Sequence, residues 1–133
     1  MRILIDTNVL ISALFWGGPP GHVVDLAAAG HFEAVTSAEL IAELEDVLAE
    51  NFAVPQEQID LVVRDVLSYA QIVGPVEEIR VRVRDRADIK VIAAAVAGSA
   101  DFIVTGDRDL LSLGEVHGVR VIGVSAFLKE HGR

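Results

Sequence analysis

Short apolar runs alternate with amphipathic stretches along the whole chain. The runs have the length of β-strands, and each is bordered by glycine, proline or an acidic residue, which are residues that commonly end strands. They occupy residues 2–5, 31–35, 71–73, 102–105 and 119–124. Continuous apolar runs of this length are typical of strands buried on both faces of a parallel sheet.

Helical spacing fills the intervals between these runs. Thr36 and Glu39 have the spacing of a capping box, and Gly30 suits the end of a helix. The predicted helices cover residues 9–15, 22–29, 36–50, a stretch after Pro55, residues 88–97, a turn at 109–113 and a terminal helix capped by Ser125. Residues 16–21, Trp-Gly-Gly-Pro-Pro-Gly, predict a loop. Strands separated by helices predict an α/β sandwich around a central, mainly parallel sheet.

Composition narrows the class of protein. The chain has 133 residues, 52% of them hydrophobic, which is enough for one domain with its own core. No apolar run approaches the roughly 20 residues of a membrane span, and no secretory signal pattern precedes the first strand. The absence of cysteine excludes disulfides, thiolate metal sites and cysteine nucleophiles. We therefore expect a single domain, residues 1–133, located in the cytoplasm.

Three acidic residues are expected near the carboxyl edge of the sheet, where parallel sheets bind their ligands. Asp6 follows the first predicted strand and Asp107 follows the strand at 102–105, so both are expected at the carboxyl edge of the sheet. Asp88 opens a helix, whose free N–H groups and dipole favour an acid. Helix capping by Asp6 and Asp88, and turn formation by Asp107, are the alternatives without chemistry.

A fourth acid on the helix at 36–50 is ambiguous. At 100° per residue, Glu43 lies about 40° outside one border of the apolar stripe, and Glu45 lies about 40° outside the other. Either side chain can reach inward, and either can be an ordinary solvated acid. Periodicity alone leaves both open.

A cluster of carboxylates has definite chemical requirements. The acids repel each other, so at neutral pH they need cations or retained protons. Oxygen ligands without His or Cys suit Mg²⁺ or Mn²⁺, and one or two such ions can activate water against a phosphodiester. Bound cations would also reconcile the net charge of −9 with a polyanionic substrate, which otherwise needs a basic surface.

Four segments carry a resemblance to a known family. They are Ile-Leu-Ile-Asp-Thr-Asn-Val-Leu at 3–10, Thr-Ser-Ala-Glu-Leu-Ile-Ala-Glu-Leu at 36–44, Asp-Ile-Lys-Val-Ile-Ala-Ala-Ala at 88–95 and Ala-Asp-Phe-Ile-Val-Thr-Gly-Asp-Arg-Asp-Leu at 100–110. In order and spacing they resemble the PIN-domain family, in particular its VapC-type toxins from toxin–antitoxin systems. The resemblance spans almost the whole chain.

The resemblance implies a PIN-like three-layer α/β/α sandwich that cleaves RNA with Mg²⁺ or Mn²⁺. It also implies a homodimer that a separate antitoxin protein neutralises, and it favours Glu43 over Glu45. The catalytic and metal-binding acids that it implies are Asp6, Glu43, Asp88 and Asp107, with Asp109 as a further metal ligand and Asn8 and Thr105 in support.

The chain departs from related toxins before the helix at 88–97. Those toxins often read Asp-Pro-Asp-Asp, whereas residues 85–88 here read Asp-Arg-Ala-Asp. The main acid is kept, but an acid is lost at Ala87, which is expected to weaken the outer shell of the metal site, and Arg86 is expected to alter the approach of substrate. Alternating arginines precede this point and would share one strand face; the candidates for RNA contact are Arg82, Arg84 and Arg86, with Arg80 in the same stretch. A solvated face paired with acids is the favoured alternative.

Other functions compete with an endoribonuclease toxin. A PIN-like domain can bind a partner without catalysis, or can act in RNA maturation. Aspartyl-phosphate chemistry also uses acids at sheet edges. However, Asn8 stands where a haloacid-dehalogenase-like site needs a second acid. A receiver domain needs a lysine near a strand end, and neither Lys90 nor Lys129 follows one.

Overall fold

A six-stranded sheet forms the centre of the computed structural model, which describes residues 1–74, 79, 81–83 and 85–132. Its strands are β1 (Arg2–Ile5), β2 (Glu33–Thr36), β3 (Ala70–Ile72), β4 (Phe102–Val104), β5 (Glu115–Val116) and β6 (Val119–Ile122). They lie in the order β3-β2-β1-β4-β6-β5, and every pair is parallel except β5 with β6. The prediction of a mainly parallel sheet is confirmed.

Helices cover both faces of this sheet. In the described residues they are α1 (Thr7–Trp16), α2 (Gly18–Ala28), α3 (Ala38–Phe52), α4 (Gln56–Tyr69), α5 (Ala87–Ala97), α6 (Arg108–Leu111) and α7 (Val124–His131). None of the helices in these ranges combines the length and the hydrophobicity needed to cross a lipid bilayer.

Alternate residues of each strand enter separate cores, which produces three layers. Ile3 and Ile5 of β1 pack with side chains of α1, α2 and α7, while Leu4 packs on the opposite face with α5. A further apolar cluster joins α1, α3 and α4. This is the predicted α/β/α sandwich.

The order of the strands creates a crevice between β1 and β4. The chain leaves β1 for β2 on one side of it and later returns to β4 on the other side. Ile5 is in register with Val104, and the Asp6 N–H donates to the Val104 carbonyl at 3.0 Å. Ligands of parallel sheets bind at such switch points, outside the carboxyl ends of the strands. The residues that follow β1 and β4 therefore define the candidate site.

The starts of α2 and α3 differ from the sequence prediction. The predicted loop at 16–21 is wrong because α2 begins at Gly18 and takes two prolines into its first turn, where a missing N–H costs nothing. The capping box at Thr36 is also wrong. Ser37 caps α3 by accepting from the Leu40 N–H at 3.2 Å, while Thr36 ends β2.

The remaining differences concern the later part of the chain. The last predicted strand ends at Ile122, and α7 begins at Val124 after Gly123 instead of being capped by Ser125. The short strand β5 was not predicted from the sequence. Residues 81–83 belong to no strand, so the predicted strand face of arginines is wrong there. Arg80 and Arg84 lie outside the described residues.

Gly98 allows the end of α5 to lie directly on β2. A Cβ atom at this position would come within 3.0 Å of the Val35 side chain, which is only 2% exposed. Gly98→Ala is therefore expected to lower the free energy of unfolding by roughly 1–2 kcal/mol, measured by urea denaturation. Gly21→Ala is the matched control, because a Cβ there meets nothing within 4 Å. Equal stability of the Gly98→Ala protein and the wild type would contradict this close packing.

Candidate metal centre

Asp6 joins the end of β1 to the start of α1. Its side chain is 6% exposed and accepts hydrogen bonds at both oxygens. Oδ1 accepts from the Thr7 N–H at 2.8 Å, and Oδ2 accepts from the Thr105 hydroxyl at 2.7 Å. Burial raises the pKa of Asp6, these hydrogen bonds oppose the rise, and the charges of Glu43 and Asp107 add to it. Asp6 thus caps a helix and faces other acids.

Thr105 links Asp6 to Asp107. It is fully buried after β4, and its hydroxyl accepts from the Asp107 N–H at 3.0 Å while donating to Asp6. Asp107 in turn caps α6 by accepting from the Asp109 N–H at 2.8 Å. The turn at 105–109 therefore orients the Asp107 carboxylate near Asp6 through the Thr105 hydroxyl and the Asp109 amide.

Asp88 lies in the first turn of α5 but does not cap it. Arg86 is the N-cap residue, and the Ala87 N–H is bound by Asp85 Oδ1 at 2.9 Å. Asp88 is 5% exposed, and no donor in the described part of the chain lies within hydrogen-bonding distance of its buried Oδ2. A buried oxygen without a donor is costly, so this carboxylate is arranged for a ligand.

The electrostatic environment of Asp88 agrees with that interpretation. Its pKa is raised to about 6, mainly by burial and further by the negative charges of Asp107, Asp85, Asp6 and Asp109. Oxygens of Asp88, Asp107 and Asp109, here called the aspartate trio, lie within 4.8 Å of one another. Like charges at this spacing repel unless a cation or a proton lies between them.

Glu43 reaches the same region from α3. One of its oxygens accepts from the Thr7 hydroxyl at 3.1 Å, and the other lies 3.6 Å from the Lys90 ammonium nitrogen of α5. Its negative charge contributes to the raised pKa of Asp6. Glu43 therefore lies beside Asp6, whereas the helical wheel of α3 left Glu43 and Glu45 equally possible. We call Asp6, Glu43 and the aspartate trio the carboxylate ring.

Two residues of this region were not expected from the sequence. Lys90 was considered only as a lysine for a receiver domain, and Thr7 was read as part of a capping segment. Lys90 lies on the same helix as Asp88, and this proximity along the chain is the signal that could have identified it. Thr7 contacts Asp6 through its amide and Glu43 through its hydroxyl.

The remaining candidates lie on the surface. Asn8 is exposed in the first turn of α1, and Arg82 and Arg86 are exposed on the chain leading into α5. The structure joins none of these three to the carboxylate ring by a hydrogen bond or an ion pair within the described residues. Arg84 lies outside those residues.

The ring fits a hard divalent cation. All of its candidate ligand atoms are carboxylate oxygens, the set that Mg²⁺ and Mn²⁺ prefer, and the trio includes one buried oxygen that has no donor among the described residues. The hydroxyl and amide donors around Asp6 hold that carboxylate in one orientation, as partners of metal ligands commonly do.

Comparison with known proteins gives a family match and two similar folds. A family model described as the PIN domain matches residues 2–109. The crystal structure of VapBC2 from Rickettsia felis bound to a DNA fragment from their promoter contains a chain with 15% identity and a TM-score of 0.66; the match covers 92% of this chain and 98% of that one. PAE2754 from Pyrobaculum aerophilum has 19% identity and a TM-score of 0.57, over 98% and 88% of the two chains. None of the curated protein sequences matches.

Proposed function

The chain belongs to the PIN-domain family, and we propose on this basis that it is a metal-dependent endoribonuclease, the toxin of a toxin–antitoxin pair, formed by one domain of residues 1–133. The observation that carries the nuclease proposal is the buried Oδ2 of Asp88, which has no donor within the described residues and belongs to the aspartate trio. A protein with only a structural use for this acid would have no reason to bury it unpaired.

The aspartate trio would hold a Mg²⁺ or Mn²⁺ ion. When bound, such an ion activates a water molecule and neutralises charge that develops on the phosphodiester. Hydrolysis would consume one water and leave a phosphomonoester and a hydroxyl. Asp6 and Glu43 stay predictions as metal ligands, because each of their oxygens already faces a donor of the protein.

The other residues of the site would act by holding these acids in place. Thr105 donates to Asp6 and accepts from the Asp107 amide, so one hydroxyl sets the relative position of two acids. The backbone of α6 orients Asp107 through the Asp109 N–H. Such pre-positioned groups lower the cost of reorganisation during the reaction. Exposed Arg82 and Arg86 precede Asp88 along the chain and are candidates for contacting the RNA phosphates.

A separate antitoxin chain is the proposed protein partner. The similar fold from Rickettsia felis comes from a VapBC2 complex, which supports a partner of this kind. A segment of the antitoxin is proposed to bind in a cavity of about 240 Å³ between α1, α2 and α4. The cavity is lined by Leu10, Leu14, Val62, Tyr69, Asp25 and Asp65. The two aspartates suit an apolar segment that also carries basic residues. A homodimer and a cytoplasmic location complete the proposal.

The nuclease proposal predicts metal-dependent RNA cleavage by the purified protein. The wild type is expected to cut a mixture of structured RNAs in MnCl₂ and to stop in EDTA. Asp6→Asn should lower the rate roughly 100-fold or more, since even the outer partners of metal ligands contribute 10- to 100-fold. Asp46→Asn, an exposed acid of α3, is the control and should cleave normally. Cleavage that survives both EDTA and Asp6→Asn would refute the proposal.

A further inference from the structure

Lys90 lies on α5, the helix that carries Asp88, and its side chain reaches the carboxylate of Glu43 on α3. Its ammonium nitrogen lies 3.6 Å from Glu43 Oε1, and the two side chains are 30% and 28% exposed. The chain contains only one other lysine, Lys129 of α7. This ion pair joins α3 to α5 beside the carboxylate ring. Both of its side chains are mostly buried, unlike those of an ordinary surface ion pair.

The carboxylate ring has two unlike sides. Asp6 and Glu43 have each oxygen facing a group of the protein: the Thr7 amide and the Thr105 hydroxyl for Asp6, the Thr7 hydroxyl and the Lys90 ammonium for Glu43. The aspartate trio includes Asp88 Oδ2, which has no donor in the described residues. One side is thus supplied with donors and a positive charge by the chain, and the other is arranged for a ligand.

A second divalent cation next to Glu43 would have to displace the ammonium group or be repelled by it. Two ions in one nuclease site are typically about 4 Å apart, and each needs carboxylate oxygens that are free to bind it. The Lys90 ammonium nitrogen already lies 3.6 Å from Glu43 Oε1, so its positive charge would repel an ion that binds this oxygen. The chain therefore supplies a cation where a second ion would otherwise lie.

We propose that Lys90 takes the place of a second metal ion, so that the carboxylate ring binds a single divalent cation on the side of the aspartate trio. Lys90 is then a positioning residue: it neutralises Glu43 and keeps that carboxylate away from the bound ion. This inference rests on the proposed metal-dependent function, but it concerns the number of ions bound and not the reaction.

The test is the stoichiometry of Mn²⁺ binding, measured with MnCl₂ alone by calorimetry and by the loss of the free-ion signal in electron paramagnetic resonance. The full-length wild type is expected to bind one ion. Lys129→Met, the matched control on α7, should also bind one. Lys90→Met is expected to bind two, because Glu43 Oε1 then lacks the positive charge beside it and can accept an ion. Lys90→Arg retains the charge and should bind one.

Each other outcome has a definite meaning. Two ions on the wild type would overturn this inference and leave the nuclease proposal intact. One ion on Lys90→Met, with the affinity of the wild type, would also overturn it, as would a complete loss of binding in a Lys90→Met protein whose circular dichroism matches the wild type. Failure of the wild type to bind Mn²⁺ at all would refute the proposed function itself, and this inference with it.

Discussion

Asp88→Asn is expected to stabilise the metal-free protein at neutral pH while it removes metal-dependent RNA cleavage. Asp88 is 5% exposed among other acids, and its Oδ2 has no donor in the described residues. A neutral amide ends the repulsion from Asp107, Asp6 and Asp109 but is a poor ligand for a hard cation. We expect cleavage to fall roughly 100- to 1000-fold, because a central electrostatic group of the site is lost.

The stability gain has a predictable size and pH range. The pKa of Asp88 rises from 3.8 to about 6 in the folded chain. A raised pKa means that the folded state holds the proton more tightly, so this contribution to stability is complete below pH 3.8 and disappears as the pH passes through about 6. At 1.36 kcal/mol per pKa unit, the wild type loses at most about 3 kcal/mol across this range.

Urea denaturation in EDTA at several pH values measures this effect. Asp88→Asn should be more stable than the wild type by about 1–3 kcal/mol at pH 7.5, and the difference should shrink below pH 5. Adding MnCl₂ should stabilise the wild type and leave the variant unchanged. Asp46→Asn, on the exposed face of α3, should follow the wild type. A variant less stable than the wild type at pH 7.5 in EDTA would contradict the crowding of charge around Asp88.

Thr105→Val is expected to disturb the site without changing its charge. Valine has the shape of threonine, but it cannot donate to Asp6 or accept from the Asp107 amide. Because Thr105 is fully buried, both partners would remain without a replacement. We expect the free energy of unfolding to fall by roughly 1–3 kcal/mol and the affinity for Mn²⁺ to fall 10- to 100-fold.

Thr105→Ser is the matched control because it keeps the hydroxyl and removes only a methyl group. Its Mn²⁺ affinity should stay within a few-fold of the wild type, although the small cavity lowers its stability by about 1 kcal/mol. The informative quantity is the difference in Mn²⁺ affinity between the two variants. Equal affinities would mean that the Thr105 hydroxyl does not position Asp6 and Asp107.

The acids at strand ends could be predicted because one rule places them. In a parallel sheet the carboxyl ends of neighbouring strands share an edge, so Asp6 and Asp107 had to meet once β1 and β4 became neighbours. Asp88 was less certain, since an acid in the first turn of a helix often serves the helix dipole. In the structure the Ala87 N–H donates to Asp85, so Asp88 is not needed to cap the helix.

The positions of Glu43 and Lys90 in the site could not be predicted from local sequence patterns. A helical wheel places Glu43 and Glu45 symmetrically about the apolar stripe of α3, and only the packing of α3 against α1 and α5 puts Glu43 beside Thr7. Lys90 finds its partner on a different helix, a relation that no periodicity encodes. The starts of α2 and α3 were missed for a local reason: Ser37 caps α3 in place of the neighbouring Thr36, and α2 accepts prolines in its first turn.

Anomalous diffraction at the manganese edge, from crystals of the wild type grown with MnCl₂, tests the central claim most directly. The expected result is a peak at the carboxylate ring, with oxygens of Asp88 and Asp107 roughly 2.1 Å from it, and no such peak in crystals of Asp88→Asn. A wild-type map without a peak at the ring, or with the ion bound only elsewhere on the surface, would contradict the metal centre proposed for this chain.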